Sequence, residues 1–182
     1  MYDAFALAFG KRVAGLKVGV GAEPSSDIGP LIDRAALIRV STKVEKAKRN
    51  GADVITGGGP DPAGALFYQP TVLANVPHDS ELVTSEIFGP VAPLIRFSDE
   101  ADLLVMANDS PYGLASYMFT ENIRRAHRVS EALECGMVGI NTGMISTEVG
   151  PIGGVKHSGL GREGGWQGLD DYLETKLIVT GV

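Results

Sequence analysis

The spacing of apolar residues divides the chain into alternating helices and strands. Tyr2, Phe5, Phe9, Val13 and Leu16 recur at intervals of three and four, which is one face of a helix. Gly10 and Gly15 weaken that helix without ending it. No capping residue precedes the stripe, so the chain is expected to begin inside a larger protein. Residues 22–30 read as a polar loop. Residues 31–50 predict a second helix with Leu37, Val40, Val44 and Ala47 inward and Gly51 as its stop.

Downstream, residues 52–56 predict a short strand and 57–64 a turn-rich loop. Residues 67–73 are strand-like, with Pro70 pointing to an edge or irregular position. A strand at 91–97 precedes a helix at 99–108 with Ser98 as its cap. A strand at 116–119, a helix at 122–133 and a strand at 136–140 complete the alternation. Strands alternating with helices of about ten residues predict an α/β fold built on a parallel sheet. Residues 143–168 hold almost no regular element, and a loop of that length usually has a function. Residues 172–180 read as a terminal strand that needs a partner, another subunit being one source. The pattern shows no second core and no linker, so one domain is expected, with a protruding terminal strand.

Composition narrows the function. Apolar residues make up 44% of the 182 residues, charged residues 21%, and the net charge is -6. That is a soluble globular composition with no concentrated positive charge for nucleic acid or an anionic membrane. The one basic group, Arg39, Lys43, Lys46, Lys48 and Arg49, has the spacing of a solvated helix face. No apolar run is long enough for a membrane helix, and no signal peptide is expected from the opening residues. The single cysteine, Cys135, excludes an internal disulfide and suits a reducing compartment, so the cytoplasm is expected.

The 24 glycines cluster at 57–59, 153–154, 159, 161 and 164–165, which marks tight loops. The segment Gly153 to Glu163 lacks the glycine-lysine order of a phosphate loop. Gly159, Gly161 and Gly164 lack the preceding strand of a dinucleotide fingerprint. His78, His127 and His157 have no ligand spacing, so no metal is expected. Cys135 follows the end of a predicted helix, where negative partial charge discourages a thiolate, so a buried inert thiol is expected. Glu86 and Phe88 lie on a Gly-Pro turn before a strand. Glu86 can accept hydrogen bonds from ribose hydroxyls and Phe88 can cover a flat ring. A solvated glutamate beside a core phenylalanine is the alternative.

Glu86-Ile87-Phe88-Gly89-Pro90-Val91, then Asn141-Thr142-Gly143, then the run Pro151 to Gly159 together resemble the aldehyde dehydrogenase superfamily. The resemblance spans essentially the whole chain, from Tyr2-Asp3-Ala4-Phe5 to the final strand. The stretches Asn141 to Val149, Gly159 to Gly164 and Asp171 to Lys176 are most similar to succinate- and glutarate-semialdehyde dehydrogenases. The resemblance implies residues 1–170 as the latter part of a catalytic domain and 171–182 as an oligomerisation strand. It implies NAD(P)-dependent oxidation of an aldehyde to the acid through a cysteine thiohemiacetal and thioester. Glu86 would hold the nicotinamide ribose, and Phe88 would pack beside the nicotinamide. Lys156 and its neighbouring glycines would shape the loop behind the active site. Ser146 would bind the far carboxylate of a semialdehyde. Ile152 departs from the phenylalanine common in the semialdehyde enzymes, which would widen the aldehyde tunnel.

The same resemblance places the nucleophilic cysteine, the general-base glutamate, the oxyanion asparagine and the dinucleotide-binding domain upstream of Tyr2. No catalytic residue is therefore expected within these 182 residues. The chain alone is expected to be inactive and to bind neither NAD nor NADP stably. The complete enzyme would take a small aldehyde and form a homo-oligomer through the terminal strand, with no nucleic acid or membrane partner. Two alternatives stay open: another subfamily acting on aliphatic or betaine aldehydes, and a non-catalytic structural module.

Overall fold

Asp33 starts the longest helix of the chain. Its carboxylate accepts a hydrogen bond from the Ala36 N–H at 2.6 Å, satisfying one of the amides a helix start leaves free. This helix, α2 (Arg34–Arg49), turns Ala36, Val40, Val44 and Ala47 into the interior. It ends at Asn50, and Gly51 follows with a φ of 95°. The computed structural model describes residues 1–181, as one compact unit from Met1 to Phe97 and another from Ser98 onward. Val182, the last residue of the expected terminal segment, lies outside the described residues.

In the first unit, α1 (Tyr2–Ala14) has no side-chain cap, as its sequence predicts. Its buried residues are Ala6, Gly10 and Val13, whereas Phe5 is exposed and stacks on Phe9. The expected inward stripe is thus rotated. A small surface at Gly10 admits the Ile55 side chain, so the helix docks through its small residues.

Strands β1 (Asp53–Thr56), β2 (Thr71–Ala74) and β3 (Val91–Pro93) form a sheet in that order. β1 and β2 are antiparallel, joined by a loop, while β2 and β3 are parallel. The edge position expected from Pro70 does not hold: β2 is central and buried along its length. Pro70 precedes the strand and removes no ladder hydrogen bond, because pairing starts when the Thr71 N–H donates to the Pro90 carbonyl at 2.8 Å. A short helix, α3 (Glu81–Thr84), lies between β2 and β3, capped by Ser80. The core joins Val40, Val44, Ala47, Ala52, Tyr68, Leu73, Val76 and Leu82, with Ile87 and Val91 packed against it.

The second unit starts with α4 (Glu100–Asn108). Its cap is Asp99 rather than the expected Ser98; the Asp99 carboxylate accepts from the Ala101 and Asp102 N–H groups. β4 (Tyr112–Gly113) pairs antiparallel with β7 (Val155–Lys156). β5 (Ala115–Met118), α5 (Ile123–Ala132) and β6 (Met137–Ile140) form a parallel crossover, as the alternating pattern predicts. Among the described residues, buried apolar side chains here are few: Ala126 and Val129. Gly136 passes so close to the Gly153 carbonyl that a β-carbon at 136 would overlap it.

The segment expected as a terminal strand is divided. Gln167–Tyr172 forms a 3-10 helix, and residues 173–181 have no strand partner among the described residues. Pairing supplies a strand's hydrogen bonds, and no edge among the described residues supplies them here. No described helix is long and apolar enough to cross a membrane.

Candidate functional site

The turn from Ser85 to Gly89 is built from the inside outward. Lys43 is only 6% exposed, although the basic spacing on α2 predicts a solvated face. Its Nζ donates to the Ser85 hydroxyl at 2.8 Å and to the Glu86 carbonyl at 2.6 Å. The Ser85 hydroxyl in turn donates to the Glu81 carbonyl at 2.7 Å, tying the turn to α3. Four positions after Ser85, Gly89 lies against α2: a β-carbon there would sit 2.7 Å from a methyl of Val40. The other basic residues of the group do face outward. Lys46 pairs with Glu81 at 3.0 Å and Lys48 with Glu45 at 2.5 Å.

Between these anchors Ile87 packs on the core and Phe88 is turned out. Phe88 is 76% exposed and takes a φ of 48°, in the left-handed region that L-residues adopt at a cost of about 1–2 kcal/mol. The core-phenylalanine alternative is therefore excluded. The Glu86 carboxylate is exposed and makes no hydrogen bond or ion pair among the described residues. The structure thus brings Glu86 and Phe88 together as an unpaired acceptor beside an open ring.

Ser146 and Ile152 lie in the second unit. Ile152 is half-buried and exchanges two main-chain hydrogen bonds with Glu163, at 2.7 and 2.8 Å. It lines an open cleft of about 630 Å³ with Leu114, Leu160, Arg162, Leu169, Asp171 and Tyr172, among others. Ser146 is exposed, does not line that cleft, and its hydroxyl has no partner among the described residues.

Lys156 holds its loop from below. Its Nζ donates to the Asn108 carbonyl at 2.9 Å and the Ser110 carbonyl at 3.3 Å, and pairs with Glu134 at 2.7 Å. A cation at the carbonyl end of α4 is well placed against the helix dipole. The glycine run downstream cannot cradle a phosphate in this arrangement. The Arg162 N–H already donates to the Asp171 carboxylate at 3.1 Å, and that negative charge would repel an anion.

Cys135 is half-buried rather than buried, and its thiol donates to the Met137 carbonyl at 3.2 Å. Among the described residues no group of three or more histidine, cysteine, aspartate or glutamate side chains could hold a metal. Sequence reasoning missed Lys43. The signal available was its place between Val40 and Val44, both fully buried, on the inward side of α2.

The sequence pattern of the aldehyde dehydrogenase family matches residues 1–178. The chain belongs to the aldehyde dehydrogenase family. It is 53% identical over 181 residues to the mitochondrial succinate-semialdehyde dehydrogenase of rice, covering 100% of this chain and 34% of that enzyme. It is 48% identical over 181 residues to the glutarate-semialdehyde dehydrogenase of Pseudomonas aeruginosa, covering 100% of this chain and 38% of that enzyme. The crystal structure of a succinate-semialdehyde dehydrogenase from Burkholderia pseudomallei superposes with a TM-score of 0.91 at 51% identity, over 94% of this chain and 36% of that one. The chain therefore carries part of the aldehyde dehydrogenase fold and spans roughly a third of its relatives' length, 34% in the rice enzyme.

Proposed function

We propose that this chain forms part of an NAD(P)-dependent semialdehyde dehydrogenase, receiving the nicotinamide end of the cofactor and completing the substrate tunnel. The observation that carries this reading is the Glu86–Phe88 turn. It presents an unpaired carboxylate beside an exposed ring on a left-handed backbone. A strained, outward-facing aromatic persists only where its surroundings hold it, and such positions cluster at ligand sites.

The residues present fit one end of such a cofactor. Glu86 would accept hydrogen bonds from the nicotinamide ribose hydroxyls, a charged acceptor bonding them more strongly than a neutral one. Phe88 would cover the ring and limit its motion. When bound, the nicotinamide supplies the hydride acceptor. A cysteine outside residues 1–182 would add to the aldehyde carbonyl, so these residues bind and orient rather than react.

The names of the rice and Pseudomonas relatives support succinate or glutarate semialdehyde as substrate. Ser146, with its free hydroxyl, would bind the far carboxylate, and Ile152 would line the tunnel. Ile152 also favours a second reading, a longer or uncharged aldehyde, because a branched aliphatic side chain leaves more room than phenylalanine. In this proposal residues 1–170 belong to the catalytic domain and residues from 171 onward mediate homo-oligomerisation. The exposed Leu173, Leu177, Ile178 and Val179 support that role. The lone thiol supports the cytoplasm as its compartment.

The test is Glu86→Gln in a full-length enzyme carrying this chain. The single-turnover rate of hydride transfer is expected to fall about tenfold, the scale of one weakened charged hydrogen bond. An unchanged rate would remove Glu86 from the cofactor site.

A further inference from the structure

A lysine ammonium withdrawn from water is costly unless its donors find partners. Lys43 has been withdrawn, and its partners are the Ser85 hydroxyl and the Glu86 carbonyl. These are two successive residues of one turn, 42 and 43 positions away in the chain. The lysine stem is itself held, because Val40 and Val44 on the same helix are fully buried. The ammonium therefore stands at a set height above the core, and the Glu86 main chain is set with it.

The other end of the turn is set independently, by Gly89 against the Val40 side chain. With both ends pinned to α2 and Ile87 drawn into the core, the chain between them has little freedom. Phe88 takes its left-handed φ of 48° and its ring faces outward. The Glu86 backbone is tied inward through its carbonyl, while its carboxylate stays unpaired.

From this geometry we infer that Lys43 is a positioning residue for cofactor binding. Its buried ammonium clamps the Ser85–Glu86 main chain, so that the Glu86 carboxylate and the Phe88 ring are presented pre-organised. This rests on the reading of Glu86 and Phe88 as the cofactor turn. Lys43 itself touches neither cofactor nor substrate. Its contribution is the ordering that the turn would otherwise undergo on binding.

The experiment uses a full-length enzyme carrying this chain, with NAD+ or NADP+, whichever supports turnover. Lys43→Met keeps the stem and removes both hydrogen bonds. It is expected to raise the cofactor KM about tenfold and to lower the single-turnover hydride rate, leaving the aldehyde KM unchanged. Hydrogen exchange is expected to quicken at the Glu86, Ile87 and Phe88 amides, and Lys43→Arg is expected to restore part of the cofactor KM. A folded Lys43→Met enzyme with unchanged cofactor KM and hydride rate overturns the inference. So does a loss spread equally over every parameter in step with a lower Tm, which is a purely structural role. If Lys43→Met does not fold, Ser85→Ala decides. It leaves the bond to the Glu86 carbonyl and should raise the cofactor KM about two- to fivefold, and no change there overturns the clamp. Glu86→Gln run in parallel separates the two claims. If it has no effect, the cofactor reading fails and the clamp's role fails with it. If it acts and the Lys43 and Ser85 variants do not, the clamp alone fails.

Discussion

Asn141 pairs with the main chain of Thr120 in both directions. The Thr120 N–H donates to Asn141 Oδ1 at 2.8 Å, and Asn141 Nδ2 donates to the Thr120 carbonyl at 2.8 Å. The side chain thus imitates one more rung of the parallel β5–β6 ladder at the point where that ladder ends. It does so from a φ of 55°, a conformation asparagine tolerates better than most residues. The pair sets where the chain leaves the sheet for the loop that carries Ser146.

Substitution at this position separates the two effects. Asn141→Gly keeps the backbone conformation and loses the two hydrogen bonds, whereas Asn141→Ala loses the bonds and is strained as well. The glycine variant is expected to be destabilised by about 1–3 kcal/mol and the alanine variant by about 1 kcal/mol more. Urea melts of both would show it; equal stabilities would mean the backbone angle carries no cost.

Ser146→Ala tests substrate reading. In a full-length enzyme carrying this chain, it should raise KM for a semialdehyde with a terminal carboxylate by about tenfold or more, as one hydrogen bond to a charged group is lost. Propanal, which has no such carboxylate, should be unaffected. Steady-state rates with succinate semialdehyde, glutarate semialdehyde and propanal decide, and equal effects on all three would mean Ser146 does not contact the carboxylate.

Residues 1–182 alone should not oxidise aldehydes. Cys135, the chain's one thiol, is engaged with the Met137 carbonyl, and Glu134, the adjacent carboxylate, is paired with Lys156. Neither arrangement makes a thiolate with a base in reach. Assays of NADH and NADPH formation with several aldehydes, with Cys135→Ser as control, check this. Turnover that disappears in the serine variant would assign Cys135 a catalytic role.

Tyr68 gives the first unit a pH dependence at the alkaline end. Burial, with the Glu45 charge adding to it, pushes its phenol from 10.0 up to about 12. Ser41 offsets part of this without completing a hydrogen bond to the phenol oxygen. Because the folded value is raised, the stabilisation is fully present below pH 10 and is lost as pH rises toward 12. The loss should reach roughly 2–3 kcal/mol above that window. Tyr68→Phe should flatten this part of the stability curve. At neutral pH it should be neutral or stabilising by about 1 kcal/mol, since no hydrogen bond is given up. Urea melts between pH 8 and about 12 would measure both.

Much of this was legible in the sequence where one residue's neighbours decide its fate. The inward face of α2, the β5–α5–β6 crossover and the Glu86–Phe88 turn all follow from local spacing or from a short motif. What was hidden depends on distant partners. Lys43 reads as one more cation on a wet helix until Ser85 and Glu86 come in from beyond β2. Pro70 reads as an edge marker because nothing local shows that pairing begins one residue later. Phe5 reads as core because the docking of small residues against Ile55 is a tertiary choice. Residues 172–180 read as a strand because β-branched residues favour one, but a strand exists only with a neighbour to complete its hydrogen bonds.

The close approach of Gly136 to the Gly153 carbonyl bears on how this sequence can change over time. Even the smallest side chain at 136 would push against main chain rather than against a side chain that could swing aside. A lineage cannot drift through this position one substitution at a time. Replacing Gly136 requires the loop around Ile152 to be rebuilt in the same step, so the shape of the cleft that Ile152 lines and the start of β6 are inherited together.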